Sequence, residues 1–458
     1  MTQTAPFTPR PEPLAAHLRA VLVLGLPLIG SNVAQMLVHV TDTVMLGWYG
    51  VPELAAGVLA TGVFFFMFLL GNGFAMAVLG RVSAALGAGD EAQMRRETRM
   101  GLWLSLIFGL AALPVFWWSG AILRALGQDP VLSQMAQEYL RMNWLGLPAS
   151  LVVAVLKSYL AAQERTRVVL WITLLAVGLN AALNWALIFG NWGAPEMGLR
   201  GAAISSVLVA LISAGLAALY AARGPGLAHV ELFARFWRPD WPAFFAVARM
   251  GLPIGFATVF EAGMFQASAL MMGWIGVVEL AAHGIALELA SLTFMVHMGL
   301  SHAATVRTGR ALGRRDAPGL RVGAVAAVIW SLAFAVLTVG VFLGLPGALV
   351  GLFLDRSAEQ APAILALGIR LLAVAALFQM FDSLQVMAMG LLRGVHDTRV
   401  PMWIAGGSYW LVGIPISYLL AFPAGLGAVG LWLGLVAGLA VAALALMARF
   451  WRRDWIAA

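Results

Sequence analysis

Four carboxylates, Asp42, Glu261, Glu288 and Asp382, stand inside stretches apolar enough to cross a membrane. Ionised against lipid, each would cost about 2.5 to 3.5 kcal/mol, and the four together approach ~10 to 14 kcal/mol. That rivals the ~5 to 15 kcal/mol stability of a whole domain, so the acids must face protein or water. Their neighbours agree. Gln35, His39 and Asp42 fall at i, i+4 and i+7, one helical face, with Ser31 and Asn32 a turn earlier. Thr258, Glu261, Phe265 and Ser268 share a face in the same way, and Gln379 and Ser383 lie beside Asp382. A structural hydrogen bond or buried ion pair is as common a role for one isolated intramembrane acid as a functional one. Glu261 and Asp382 belong to one half of the chain, where a cation site would need several convergent oxygens. That pair could bind Na⁺ or take up a proton, coupling an ion gradient to conformation. Asp42 has candidate partners in Asn180 and Asn184, one turn apart. Glu288 lies nearer a span end, where an interfacial or structural role serves as well.

Other chemistry-bearing side chains are less specific. His39 shares the face of Asp42, although a satisfied core histidine is the commoner outcome. His283, His297 and His302 come without HExxH or a comparable metal motif. Met36, Met264, Phe265 and Met389 lie near the polar stripes, and adaptable Met and aromatic walls suit a polyspecific cavity; for any one of them ordinary packing is the better reading. Pro27 and Pro253 fall inside spans, where a missing N–H can bend a helix. The chain has no cysteine, which excludes disulfides and thiolate chemistry, and no GxxxxGK[ST], which disfavours direct ATP coupling. No Ser/His/Asp arrangement at useful spacing supports an intramembrane enzyme.

The elements that position these residues come in two copies. GLPLIGSNVAQMLVHVTDTVMLGWYG, from Gly25 to Gly50, matches GLPIGFATVFEAGMFQASALMMGWIG, from Gly251 to Gly276, at a constant offset of 226. Pro27/Pro253, Trp48/Trp274 and Gly50/Gly276 are identical pairs, and the match runs on to Arg81/Arg307 and Asp90/Asp316. Arg141/Arg370 and Thr166-Arg167-Val168 against Thr398-Arg399-Val400 carry the duplication into later segments. With 62% hydrophobic residues, 11% charged and a mean hydropathy of +0.90, this is a polytopic membrane protein. Breaking the chain at charge and Gly/Pro clusters predicts twelve spans: 20–46, 54–80, 98–122, 138–162, 168–190, 199–222, 246–272, 280–306, 320–345, 363–393, 400–421 and 427–449. The domains read as a cytoplasmic tail 1–19, an N-lobe 20–222, a connector 223–245, a C-lobe 246–449 and a cytoplasmic tail 450–458. Of the 28 Lys and Arg, 23 sort to the side of both termini; the exceptions are Arg124, Arg141, Arg200, Arg356 and Arg370. The termini are therefore expected in the cytoplasm, and the net charge of +7 reflects loop placement rather than nucleic-acid binding. Six spans per half make the repeats parallel, with the natural solute site in the cleft between them.

Along nearly its whole length the chain resembles the multidrug and toxic compound extrusion (MATE) transporters, most closely their NorM-like bacterial branch. The resemblance rests on VTDTVMLG around Asp42, VFEAGMF around Glu261, RTGRALG from Arg307 to Gly313, and FDSLQVMAMGLLRGVHDTR from Phe381 to Arg399. It implies an all-α fold of twelve helices in two homologous six-helix bundles, alternating access, and export of bulky, often cationic, compounds in exchange for Na⁺ or H⁺. It also implies a monomer in the bacterial inner membrane, with small organic substrates and no cofactor beyond the coupling ion. The acids matching Glu261 and Asp382 form the family's C-lobe cation site, and those matching Asp42, Asn180 and Asn184 its N-lobe network. Two positions depart from the pattern. Asn184 stands where some relatives carry an acid, and Phe378 aligns with a tyrosine, keeping the ring and losing the hydroxyl. A lipid-linked precursor flippase of the same superfamily is the alternative, disfavoured because the intramembrane charges singled out above are acidic.

Overall fold

The computed structural model describes residues 13–354 and 359–456; most of the N-terminal tail, Arg356 and the last two residues lie outside them. Among the described residues, twelve helices have the length and apolarity to cross a membrane. We number them α1 (Leu14–Tyr49), α2 (Val51–Gly87), α3 (Glu91–Trp117), α4 (Pro130–Ala162), α5 (Thr166–Phe189), α6 (Leu199–Arg223), α7 (Trp241–Ile275), α8 (Val277–Gly313), α9 (Ala317–Gly344), α10 (Ala361–Gly394), α11 (Arg399–Ala421) and α12 (Gly427–Arg452). Each matches one predicted span. The two opening helices of each lobe are longer than expected, at 35 to 37 residues. At 1.5 Å per residue they measure about 53 to 55 Å, well beyond a ~30 Å hydrocarbon core, so they tilt or project into water.

The duplication is visible in the joints. Gly50 and Gly276 each form the entire connection between two such helices. Asp90 and Asp316, 226 residues apart, both cap the next helix by accepting from a backbone N–H three residues on, at 2.8 and 2.9 Å. Gly89 and Arg315 adopt the same left-handed backbone just before those caps, with φ of 72° and 55°. Glu164 and His396 do likewise two joints later, after α4 and α10, with φ of 60° and 62°. In each joint the N–H one residue further on reaches back to a carbonyl five residues earlier, closing the end of the helix.

Three predicted boundaries need correction. The third span does not run unbroken over 98–122: it starts at Glu91 on the Asp90 cap and breaks at Ala112, because Pro114 sits in the first turn of the following piece. The fourth begins at Pro130 rather than residue 138, since Asp129 caps it, and a 3-10 turn at Asn143–Leu145 divides it. The connector is shorter than 223–245, because Asp240 starts α7 at Trp241. It is also docked on α3, with Arg99 and Trp103 donating to the Leu232 and Phe236 carbonyls at 2.6 and 3.1 Å.

The lobes meet through α1 against α8 and α2 against α7. A Cβ at Gly73 would collide with the Gly251 carbonyl, one at Gly313 with the Ala84 carbonyl, and one at Gly299 with Ile29. Small residues let backbones of membrane helices approach this closely. All these contacts fall in the half of the bundle nearer the chain ends. The cores follow the same division. Leu24, Leu28, Phe74 and Val78 of the first lobe share one core with Met250, Ile254, Ala303 and Val306 of the second. At the far end the first lobe keeps a private core around Met45, Ala60, Phe116, Leu140 and Ile188. The molecule is thus sealed at the end bearing its termini and parted at the other. Exposed tryptophans mark both levels: Trp48, Trp118, Trp192 and Trp274 at the far end, Trp171, Trp237 and Trp403 at the near one, as interfacial anchors require.

Candidate functional site

In the N-lobe, the α1 stripe and the α5 amides come together. Asn180 and Asn184, both fully buried, donate their side-chain N–H groups to the same Asp42 oxygen, Oδ1, at 2.9 and 2.6 Å. About three turns nearer the chain ends along α1, the Ser31 and Thr173 hydroxyls hydrogen-bond at 2.8 Å and tie α1 to α5 again. Between these ties the polar face is open: Gln35 and His39 are exposed, while Leu37, Val40 and Val44 are exposed on the opposite face of the same helix. The apolar face meets lipid and the polar one meets a wet cleft. His39 forms no ion pair with Asp42, and Gln35 does not join the Asp42 cluster; its side-chain oxygen accepts instead from Lys157 of α4, at 3.4 Å.

The C-lobe cluster is built differently. Asp382, Gln379 and Ser383 are buried on α10, and Glu261 projects from α7 close enough for the two acids to interact electrostatically. Four of these polar groups lack what burial normally demands. Asp382 Oδ2, Glu261 Oε1 and both ends of the Gln379 amide have no hydrogen-bond partner. Ser383 turns its hydroxyl back onto the Met380 carbonyl at 2.8 Å, and Ser268 does the same to Phe265 at 2.7 Å. The ring of Phe378 packs edge-on against Phe265 and Trp432, with centroids at 6.0 and 5.7 Å. Trp432 in turn donates to His283 at 3.1 Å, so that histidine is a packing residue. No group of three His, Asp or Glu that could hold a metal occurs among the described residues.

Met264 and Met389 do not line the cleft in this conformation. Both are buried, at 0% and 6% exposure, in the second lobe's core, whereas Phe265 and Met36 keep partial exposure. Pro27 and Pro253 lie within helices that continue through them, and Pro253 is buried. Three residues of the site escape a reading of the sequence. Tyr409, fully buried on α11, accepts from the Gln385 amide at 2.7 Å and interacts with both acids. It supplies a phenol where Phe378 has none. Arg393, at the foot of α10, interacts with Glu261 without pairing with it. Lys157 is the third.

A duplicated bundle whose halves seal one end of a polar cleft while leaving the other parted has the architecture of a membrane transporter. The MatE family model matches this chain twice, over residues 27–186 and 253–419, beginning at the two repeat-equivalent prolines. The chain belongs to the MatE family. Over 436 residues it is 45% identical to the "Probable multidrug resistance protein NorM" of Rhizobium meliloti (strain 1021), covering 95% of this chain and 93% of that one. The protein of the same name in Agrobacterium fabrum is 41% identical, covering 95% and 94%. Among solved structures, the eukaryotic MATE transporter AtDTX14 superposes with a TM-score of 0.85 at 20% identity, covering 97% of both chains. A multidrug resistance MATE family transporter described in an outward-facing conformation gives 0.86 at 20% identity, covering 95% and 96%. At that identity the likeness establishes the fold.

Proposed function

We propose that this chain is a secondary multidrug antiporter that exports bulky organic cations in exchange for Na⁺ or H⁺. The names of its relatives supply the drug-efflux reading, and the unpaired polar groups around Asp382 support the ion coupling. A buried carboxylate without donors gains by taking up a cation or a proton, and Glu261, Gln379 and the Tyr409 phenol supply further oxygens nearby. The charge bias of the loops supports cytoplasmic termini, so the parted end faces outward. In this outward-open form the C-lobe acids meet the external ion, and loading them lets the bundle return inward after drug release. Pro27 and Pro253 are placed to let α1 and α7 bend during that return. The N-lobe network orients the cleft wall against which the drug lies. We further propose that the protein works as a monomer.

Uptake of a cationic dye into proteoliposomes, with Na⁺ and pH gradients imposed separately, tests this reading. Wild type should move dye against one of the two gradients. Glu261→Gln and Asp382→Asn should lose that gradient-driven component by about tenfold or more, as when an interaction of ~1.4 kcal/mol is removed. Exchange at the wild-type rate by both variants would sink the coupling role of the C-lobe.

A further inference from the structure

Lys157 is the only lysine in a chain with 28 basic residues, and it stands inside a membrane span. It lies five residues before the end of α4, where a lysine ordinarily extends toward the nearest interface. Its surroundings contradict that. Helical side chains lean toward the N-terminus of their helix, which for α4 is the far end of the molecule, away from the nearer interface. The ammonium reaches Gln35, which is 21 residues, about 30 Å, along α1 from its start. α1 and α4 are not close-packed, so the side chain crosses an opening between them. No carboxylate forms an ion pair with it among the described residues, and the 3.4 Å contact to Gln35 is the one hydrogen bond the structure gives its three donors. An unpaired charge at this depth is costly unless it faces water and has a use.

Gln35 lies on the same face of α1 as Asp42, seven residues and about 10 Å away. The N-lobe cleft therefore presents a cation at one level and an anion at another, with exposed His39 between them. Asp42 spends Oδ1 on two asparagines and has a second oxygen to offer. From this geometry we infer that Lys157 binds the carboxylate of zwitterionic substrates, whose ammonium end lies at Asp42, with charges separated by on the order of 10 Å. This deepens the export reading and rests on it: the N-lobe is a two-pole site for amphoteric organic molecules as well as a wall for simple cations. Lysine suits the task, because a compact charge on a flexible stem follows carboxylates of differing position.

The test uses a rhodamine with a free carboxylate and its methyl ester, which differ only in the negative pole. Fluorescence anisotropy with the purified full-length protein reads the affinity of each dye, and proteoliposome exchange reads their transport separately. Lys157→Met should weaken the acid relative to the ester by about tenfold, the worth of one charge-assisted hydrogen bond. Lys157→Arg should recover most of that ratio. An acid-to-ester ratio that is the same in wild type and Lys157→Met overturns the assignment, whatever happens to the absolute affinities. Failure of exchange with the binding ratio intact would instead count against the antiport reading and leave the assignment of Lys157 upheld.

Discussion

Asp42 and Asp382 are the same side chain in two states of satisfaction, and that difference separates the roles proposed for them. Asp42 is gripped by two buried amides on one oxygen, so its position is fixed. Asp382 has a buried oxygen that nothing donates to, so the proton or ion uptake proposed for it would break no hydrogen bond at that oxygen. Removing a fixed partner leaves a buried group orphaned, whereas neutralising an unpaired acid removes a burden. Asn184→Ala should therefore lower stability by about 1 to 3 kcal/mol, and Asp382→Asn should leave it unchanged or raise it while abolishing ion dependence. Thermal unfolding in detergent beside dye exchange checks both; a destabilised Asp382→Asn would show that the acid is structural after all. Tyr409→Phe belongs with these. It deprives Gln385, whose carbonyl already lacks a donor, of its remaining bond, so thermal stability should fall by a similar ~1 to 3 kcal/mol.

At the level of the helices, what the sequence disclosed was periodicity and what it hid was phase. A 3.6-residue face placed Gln35, His39 and Asp42 together, and two asparagines one turn apart in the fifth span pointed at the same acid, because both stretches are regular α-helix. Tyr409 could not be found that way, since Ser408–Gly413 is a π-helical turn that shifts every later residue around the axis. Lys157 was counted with the loop charges because it stands near a span end, and only the direction of its side chain shows otherwise. The interrupted third and fourth spans were equally hidden, since an apolar run reads through a proline or a 3-10 turn. The helix contacts were half legible. Repeat-equivalent glycines were visible, Gly73 and Gly299 among them at the offset of 226, but not their partners: Gly73 proves to be the point where α2 lies on the α7 backbone, and Gly299 the point where α8 lies on α1 at Ile29. Gly73→Leu should force α2 and α7 apart at the sealed end. Because the chain has no cysteine, a pair of introduced spin labels at the near ends of α2 and α7 reads that separation without background. A distance distribution identical to that without the leucine would mean that α2 can shift to accommodate it.

For the molecule as a whole the question is what holds the near end shut, since every turn of the proposed exchange cycle must break it. Apolar packing and backbone contact along α1/α8 and α2/α7 provide the area, and ion pairs add to it at the rim, where Arg96 of α3 lies 3.6 Å from the α7 cap Asp240. Arg310 of α8 pairs with Glu164 at the end of α4 at 2.5 Å, and its other nitrogen donates to the Ala162 carbonyl at 2.7 Å. Glu164 is held in a left-handed backbone conformation, rare outside glycine, that aims it across the lobe boundary. Its side chain is 44% exposed, so solvent screening limits the ion pair to about 1 kcal/mol or less. Breaking it should bias the cycle rather than abolish it. Glu164→Gln should raise the population open at the near end by about two- to fivefold, an effect that fades in high salt as screening shortens to ~3 Å at 1 M. Arg310→Gln should do more, because it forfeits the carbonyl contact as well as the charge. The swap Glu164→Arg with Arg310→Glu should recover only the ionic part, since a glutamate cannot donate to Ala162. Distances between spin labels across the two lobes, measured at low and high salt, rank the four forms. If Glu164→Gln opened the near end as far as Arg310→Gln, the carbonyl contact would contribute nothing, and the seal at the rim would be ionic alone.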